Sequence, residues 1–478
     1  MLQGYPSKSK TVTVTAAIFL LLLGAHLLYS SPSIPRWRIA QGEAVVDGEA
    51  NVEDADASAE PDFLPCQQLP GAEDVVVVMR TGATEIQDKL PIHFNTTFVC
   101  YQDLLIFSDY PENFYGHQVH DVLASVDQGL KESNNDFELY LRLQQHGRES
   151  LHDYELSGKA SFEGSKSGKG DNPGWKLDKW KFLPMMNETL KLRPDKKWYV
   201  FVESDSYAVW SNILQWLDQL DPSLPHYYGS EVQIGPDVFA HGGSVFVMSK
   251  PAIEKGAQIY ADKLQEWHDW TNRHWAGDCI LGKALLEAGV PLTWGWPMFQ
   301  GGHPAKMDFT ERKGEEKQLW CTPALSYHHF SPTELRAMWE FEQLWIQSRL
   351  EKVSKTEKRW SSGKDYSDVL EHRDVFREFV LPSIQEGKRG WWNNLSPNLV
   401  ENTAGAGEAD CQRLCEENGD CLQYMTGPEG CFFSTTHVML GEYADGFKSG
   451  WMDSRLDSWM QKLDTCGGHE GWTVRSFI

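Results

Sequence analysis

Lys197-Trp198-Tyr199-Val200-Phe201-Val202-Glu203-Ser204-Asp205 is an apolar run that ends in two carboxylates two residues apart. Apolar residues without polar alternation predict a strand covered on both faces, and ligands of open parallel sheets gather beyond the carboxyl ends of their strands. Glu203 and Asp205 offer hard oxygen donors, which suit Mg2+ or Mn2+ on a diphosphate better than zinc. Taken alone, the acidic tripeptide reads more readily as a charged loop after a strand. Its neighbours have to decide.

Similar apolar runs recur at residues 75–79, 104–107 and 245–248. Between them, helical patterns cover residues 118–145, 177–192, 212–220, 253–270 and 278–288, and a longer one opens at Pro332. Strands alternating with helices predict an α/β fold with a mostly parallel sheet flanked by helices. The glycine-rich stretch 164–170 is not a phosphate loop, because its first glycine is one residue too close and Gly170 stands where Ser or Thr is required. It reads as part of a surface loop over 159–174. Residues 346–400 read as a polar helical linker, and a cysteine cluster beyond them marks a small disulfide-stabilised domain over 401–478.

The chain of 478 residues, 41% of them hydrophobic, is long enough for a catalytic core plus a smaller unit. Its net charge is −24, and residues 43–62 hold eight carboxylates and no Lys or Arg. Nucleic acid binding needs a basic face, so this balance argues against it. Twenty Trp, 16 Tyr and 22 Phe supply core and groove walls and could also stack on sugar rings.

Residues 12–29 are almost wholly apolar and, as a helix, would span roughly 27 Å, enough to cross a bilayer. The expected layout is a cytoplasmic leader at 1–11, a signal anchor at 12–29 and a disordered acidic stem at 30–65. A cleaved signal peptide is the rival, since Ser30-Ser31-Pro32-Ser33 offers small residues near the end of the run. All nine cysteines follow this segment, and Cys411, Cys415, Cys421 and Cys431 are disulfide candidates in an oxidising compartment. Sequons at Asn95, Asn187 and Asn394 fit the same lumenal side, in the Golgi or endoplasmic reticulum.

Three further segments bear on Glu203-Ser204-Asp205. Phe239-Ala240-His241-Gly242-Gly243-Ser244 leads into a strand, and paired glycines let the backbone approach a ligand closely. Trp275-Ala276-Gly277-Asp278-Cys279-Ile280-Leu281-Gly282 places Asp278 at a helix N-terminus, where it is either an N-cap or a catalytic group. Ser326-Tyr327-His328-His329-Phe330 supplies two imidazoles, each of which could be structural.

In this order and spacing, residues 73–345, within a catalytic domain expected over 66–345, resemble glycosyltransferase family 31, the inverting β-1,3-glycosyltransferases that include core 1 galactosyltransferases and Fringe enzymes. The resemblance implies a GT-A-like nucleotide-sugar-binding fold. It implies that Glu203, Asp205 and His328 hold Mn2+ (or Mg2+) on the donor diphosphate, and that Asp278 is the catalytic base. Arg80, Thr81, Asp109, Ser204, Gly242 and Gly243 would contact the nucleotide sugar, and Trp175 to Phe182 would be the helix preceding the metal motif. Two departures stand out: Glu203 replaces the usual Asp, and Gly277 replaces the usual acid before Asp278. The cysteine cluster after residue 400 resembles PAN or apple modules, which bind proteins or carbohydrates.

The implied activity is a Mn2+-dependent transfer, with inversion, of a sugar from a UDP-sugar to a glycan or glycoprotein acceptor. Galactose onto N-acetylgalactosamine is the leading donor and acceptor pair, in a single-pass type II membrane protein. Such a displacement needs one general base, whereas a glycosidase needs a flanking carboxyl pair that nothing here singles out. The rival is a non-catalytic carbohydrate- or protein-binding protein on a transferase-like fold with an altered metal motif.

Overall fold

The computed structural model describes residues 63–157, 172–313, 317–356, 369–466 and 472. The leader, the anchor, the stem up to residue 62 and the glycine-rich stretch 164–170 lie outside the described residues. Among the described residues, no helix is long and apolar enough to cross a membrane.

Strands β1 (Val75–Arg80), β2 (Leu104–Ser108), β3 (Glu112–Phe114), β4 (His117–Asp121) and β5 (Trp198–Glu203) are followed by β6 (Tyr207–Ala208) and β7 (Tyr227–Gly229). Then come β8 (Glu231–Ile234), β9 (Asp237–Ala240), β10 (Phe246–Ser249) and β11 (Thr293–Trp294). Eight of these form one sheet in the order β11-β7-β10-β5-β1-β2-β4-β3. The pairs β5–β1, β1–β2, β2–β4 and β11–β7 are parallel, so the sheet is mostly parallel and α/β as expected.

Side-chain alternation along the two central strands explains why the sheet is buried on both sides. Tyr199 and Phe201 of β5 join Val76 and Val78 of β1 in one core, under the helices Pro173–Leu192, Lys250–Asp262 and Gly277–Glu287. Trp198, Val200 and Val202 join Val75, Val77 and Met79 in a second core, against the helix Trp210–Leu217 and the helix Pro332–Thr356. Each such buried side chain contributes about 1.5–3 kcal/mol. A charged residue at Val200 would have no solvated face to turn to.

Several expected elements differ. Residues 118–145 are not one helix: β4 occupies their start, followed by the helices Gln128–Ser133 and Glu138–His146. The polar residues Gln118 and His120 hid a strand close to the sheet edge. β10 is a strand as expected but runs antiparallel to both β5 and β7. The pattern over 253–270 is two helices, Lys250–Asp262 and Leu264–Arg273. The segment read as a linker carries the helical run His372–Val375, Phe376–Val380 and Leu381–Gln385, whose Val375, Phe376, Val380 and Ile384 are buried with Trp320 and Trp459.

The described residues form one compact unit. Its C-terminal part holds an antiparallel sheet, in the order Arg389–Asn393, Glu442–Trp451, Gln423–Gly427, Gly430–Ser434, Asn398–Leu399. The four candidate cysteines pair as Cys411–Cys431 and Cys415–Cys421. Two further bridges, Cys66–Cys100 and Cys321–Cys466, leave the buried Cys279 as the free thiol. Of the sequons, Asn95 is exposed and Asn187 half-buried. Asn394 is buried, with its Nδ2 donating to the carbonyls of Tyr424 at 3.0 Å and Gly450 at 3.4 Å.

Candidate metal and catalytic site

The site lies where β5 ends. Just beyond it, β6 pairs antiparallel with Ser326–Tyr327, joining Tyr207 to Tyr327 and Ala208 to Ser326. The pairing continues as Phe330 N–H donates to the carbonyl of Asp205 at 2.9 Å. This zipper carries His328 onto the two carboxylates. Its Nε2 lies 3.1 Å from Glu203 Oε2 and 3.1 Å from Asp205 Oδ1.

His329 has a φ of 67°, a left-handed conformation unusual for a residue with a side chain. Its ring stacks on His328 with centroids 3.8 Å apart. As a result, one ligating atom each from Asp205, His328 and His329 lies within 4.8 Å of the others. Two imidazoles and carboxylate oxygen form a donor set that fits Mn2+ better than the all-oxygen preference of Mg2+. Glu203 meets the group at His328 Nε2, and its Oε1 also pairs with Arg80 Nη2.

Basic side chains balance the acids. Lys89, at the end of the short helix Ile86–Lys89, places Nζ 3.1 Å from Asp205 Oδ2 and 2.9 Å from Glu85. Burial pushes the Asp205 carboxyl up, but Lys89 and His328 outweigh it and hold the group well below the usual carboxylate range. Arg80 is nearly buried, ion-paired to Asp178 and Glu203, with its guanidinium 4.2 Å from the Phe182 ring centroid. Arg80 and Glu203 are register partners across β1 and β5, which explains their pairing.

Behind the motif, His93 Nε2 donates to the Ser204 carbonyl at 2.9 Å and its Nδ1 lies 2.8 Å from Thr97 Oγ1. Burial lowers its imidazole to about 4, so it holds the turn as a neutral ring. Gly243 sits under His328, where an added Cβ would stand inside contact distance of the ring. Gly242 N–H donates to Asp278 Oδ2 at 2.9 Å.

Asp278 lies in the first turn of the helix Gly277–Glu287, and its Oδ1 accepts the Cys279 N–H at 2.9 Å. Burial raises this carboxyl above its ordinary value, against the pull of the two backbone N–H groups. Each oxygen retains a second lone pair that could accept a proton. A Cβ on Gly277 would collide with the backbone of Lys179 and with Phe182, so close packing on the Pro173–Leu192 helix leaves no room for an acid there.

Arg80, Glu203, Ser204, Asp205, Gly242, Gly243, Asp278 and His328 all line one cavity of about 700 Å3. Thr81 and Asp109 are not on its wall. Asp109 lies beneath, accepting Ala83 N–H at 2.8 Å and pairing at 3.0 Å with Lys181, which itself lines the cavity. Sequence reasoning missed Lys89, His93, Asp178 and Lys181. Lys89 and His93 lie on two helices of four residues each, too short for a periodic signal. No protein-family model matches this chain, and no curated protein matches it.

Proposed function

We propose that this protein is a glycosyltransferase that moves a sugar, with galactose favoured, from a UDP-sugar to a hydroxyl of a glycan or glycoprotein with inversion at the anomeric carbon. The observation that carries the reading is the convergence of Asp205, His328 and His329 beyond the end of a central strand, in a cavity that also holds Asp278. Mn2+ bound there would neutralise the departing diphosphate. Asp278, with its raised carboxyl, would take the proton of the acceptor hydroxyl. His93 and the Gly242–Gly243 backbone fix the positions of Ser204 and Asp278. Four disulfides support folding in an oxidising compartment, in keeping with a lumenal, membrane-anchored transferase of the Golgi or endoplasmic reticulum with a PAN-like C-terminal region.

One observation favours the non-catalytic rival. Both carboxylates of the metal motif are paired with cations of the chain itself, Glu203 with Arg80 and Asp205 with Lys89. The test is release of UDP from a panel of UDP-sugars with Mn2+ and N-acetylgalactosaminide or other glycan acceptors. Release that disappears in Asp205→Ala and Asp278→Asn supports the transferase. Metal-independent glycan binding without UDP release overturns it in favour of the rival.

A further inference from the structure

We infer that Trp175 and Trp275 form a stacking platform for a pyranose ring of the acceptor, an assignment that rests on the transferase reading of the same cavity. Both indoles line that cavity, and both are open to solvent, at 39% and 62% exposure. They come from segments a hundred residues apart, yet their planes are only 17° apart with centroids separated by 6.5 Å. A lone exposed aromatic is ordinary, but two near-parallel indoles brought together at a cavity mouth are a built surface. His274 backs the pair, stacked on Trp275 at 6.2 Å and 11°.

Chemistry and position together select the ligand. Trp175 opens the Pro173–Leu192 helix, and Asp178 and Phe182, which follow at helical spacing, line the same cavity. Thus one helix face presents an apolar ring at the rim and a carboxylate and Phe182 further along. A pyranose has the matching surface: a face of C–H bonds that lies flat on an indole, and a rim of hydroxyls for polar neighbours. Trp275 stands three residues before Asp278, so a sugar resting on it is delivered beside the group that would deprotonate it. That adjacency favours the acceptor over the donor's uracil, which is also flat.

The test uses the full chain with methyl α-N-acetylgalactosaminide and methyl β-galactoside as probes, read by saturation-transfer NMR and calorimetry, with UDP plus Mn2+ titrated in parallel. Trp275→Ala and Trp175→Ala should each weaken glycoside binding about tenfold. Trp275→Phe should restore part of it, and UDP affinity should not change. The substitutions fall on exposed side chains, and circular dichroism verifies folding. Glycoside affinity that survives in the double alanine variant, no binding of either glycoside, or a parallel loss of UDP affinity each overturns the platform. Failure of the transferase reading looks different: no UDP-sugar turnover, while glycoside binding remains dependent on the two tryptophans.

Discussion

Lys89 Nζ stands 3.1 Å from Asp205 Oδ2, on the carboxylate oxygen that His328 leaves free. A lysine in that place competes for charge with any cation the motif binds. Opposite charges this close in a part-buried site interact by several kcal/mol before solvent and relaxation reduce the figure.

Lys89→Met should therefore bind Mn2+ more tightly than the parent, by about tenfold, while His328→Ala should bind it at least about tenfold more weakly. Calorimetric titration of Mn2+ into the two folded variants checks both. Equal affinity in all three proteins would remove the metal from this site.

The transfer rate should depend on Asp278 in a direction fixed by its burial. The raised carboxyl stays protonated at pH values where an ordinary Asp is ionised, so kcat/KM should fall on acidification through a pKa above that of an ordinary Asp. The same shift has a stability sign. A folded value above the unfolded one stabilises the fold at low pH, and that contribution is lost as pH rises through the folded value. A pH–rate profile whose acid limb sits at or below the ordinary Asp value would exclude Asp278 as the base.

Acid should destabilise the fold through His372. Burial lowers this imidazole to about 3, and its Nε2 donates to the Pro297 carbonyl at 2.9 Å. Because the folded value lies below the unfolded one, the stability it contributes is complete above about pH 6.5 and is lost as pH falls toward the folded value. Between about pH 6.5 and 5 the loss is about 2 kcal/mol. Urea denaturation at the two pH values should show that difference shrink in His372→Gln, and an unchanged difference would refute it.

Glycan occupancy should follow burial. Asn95 is exposed and should accept a glycan when the chain is expressed through the secretory pathway, whereas Asn394 has both Nδ2 hydrogen bonds inside the C-terminal sheet. Asn95→Gln should remove one glycosidase-sensitive mobility step and Asn394→Gln none. A step lost with Asn394→Gln would mean the site is modified before that sheet closes.

The central strands were legible because β1 and β5 are apolar without interruption, a pattern that only burial on two sides requires. Strand direction was not, since β10 is as apolar as the mutually parallel β1 and β5 yet runs antiparallel to β5, and run length carries no sign of orientation. β4 was hidden by its two polar side chains. At the site, Glu203, Asp205, His328 and Asp278 stood out as motif residues, and they share one cavity. Their pairings with cations did not. Arg80 meets Glu203 through strand register, and Lys89 reaches Asp205 across more than a hundred residues of chain, relationships that no local window contains. His329 joins the group through a backbone conformation that its residue type does not announce.

The Cys321–Cys466 bridge closes a sequence separation of 145 residues and anchors the chain five residues before Ser326. Because the ribosome delivers the chain from its N-terminus, Glu203 and Asp205 emerge long before the cysteine that locks down the histidine-bearing segment. The site is thus finished late in biosynthesis and only after an oxidation. A nascent or reduced chain would carry the acidic half of the centre without its imidazoles clamped in place, which ties completion of the centre to closure of that bridge.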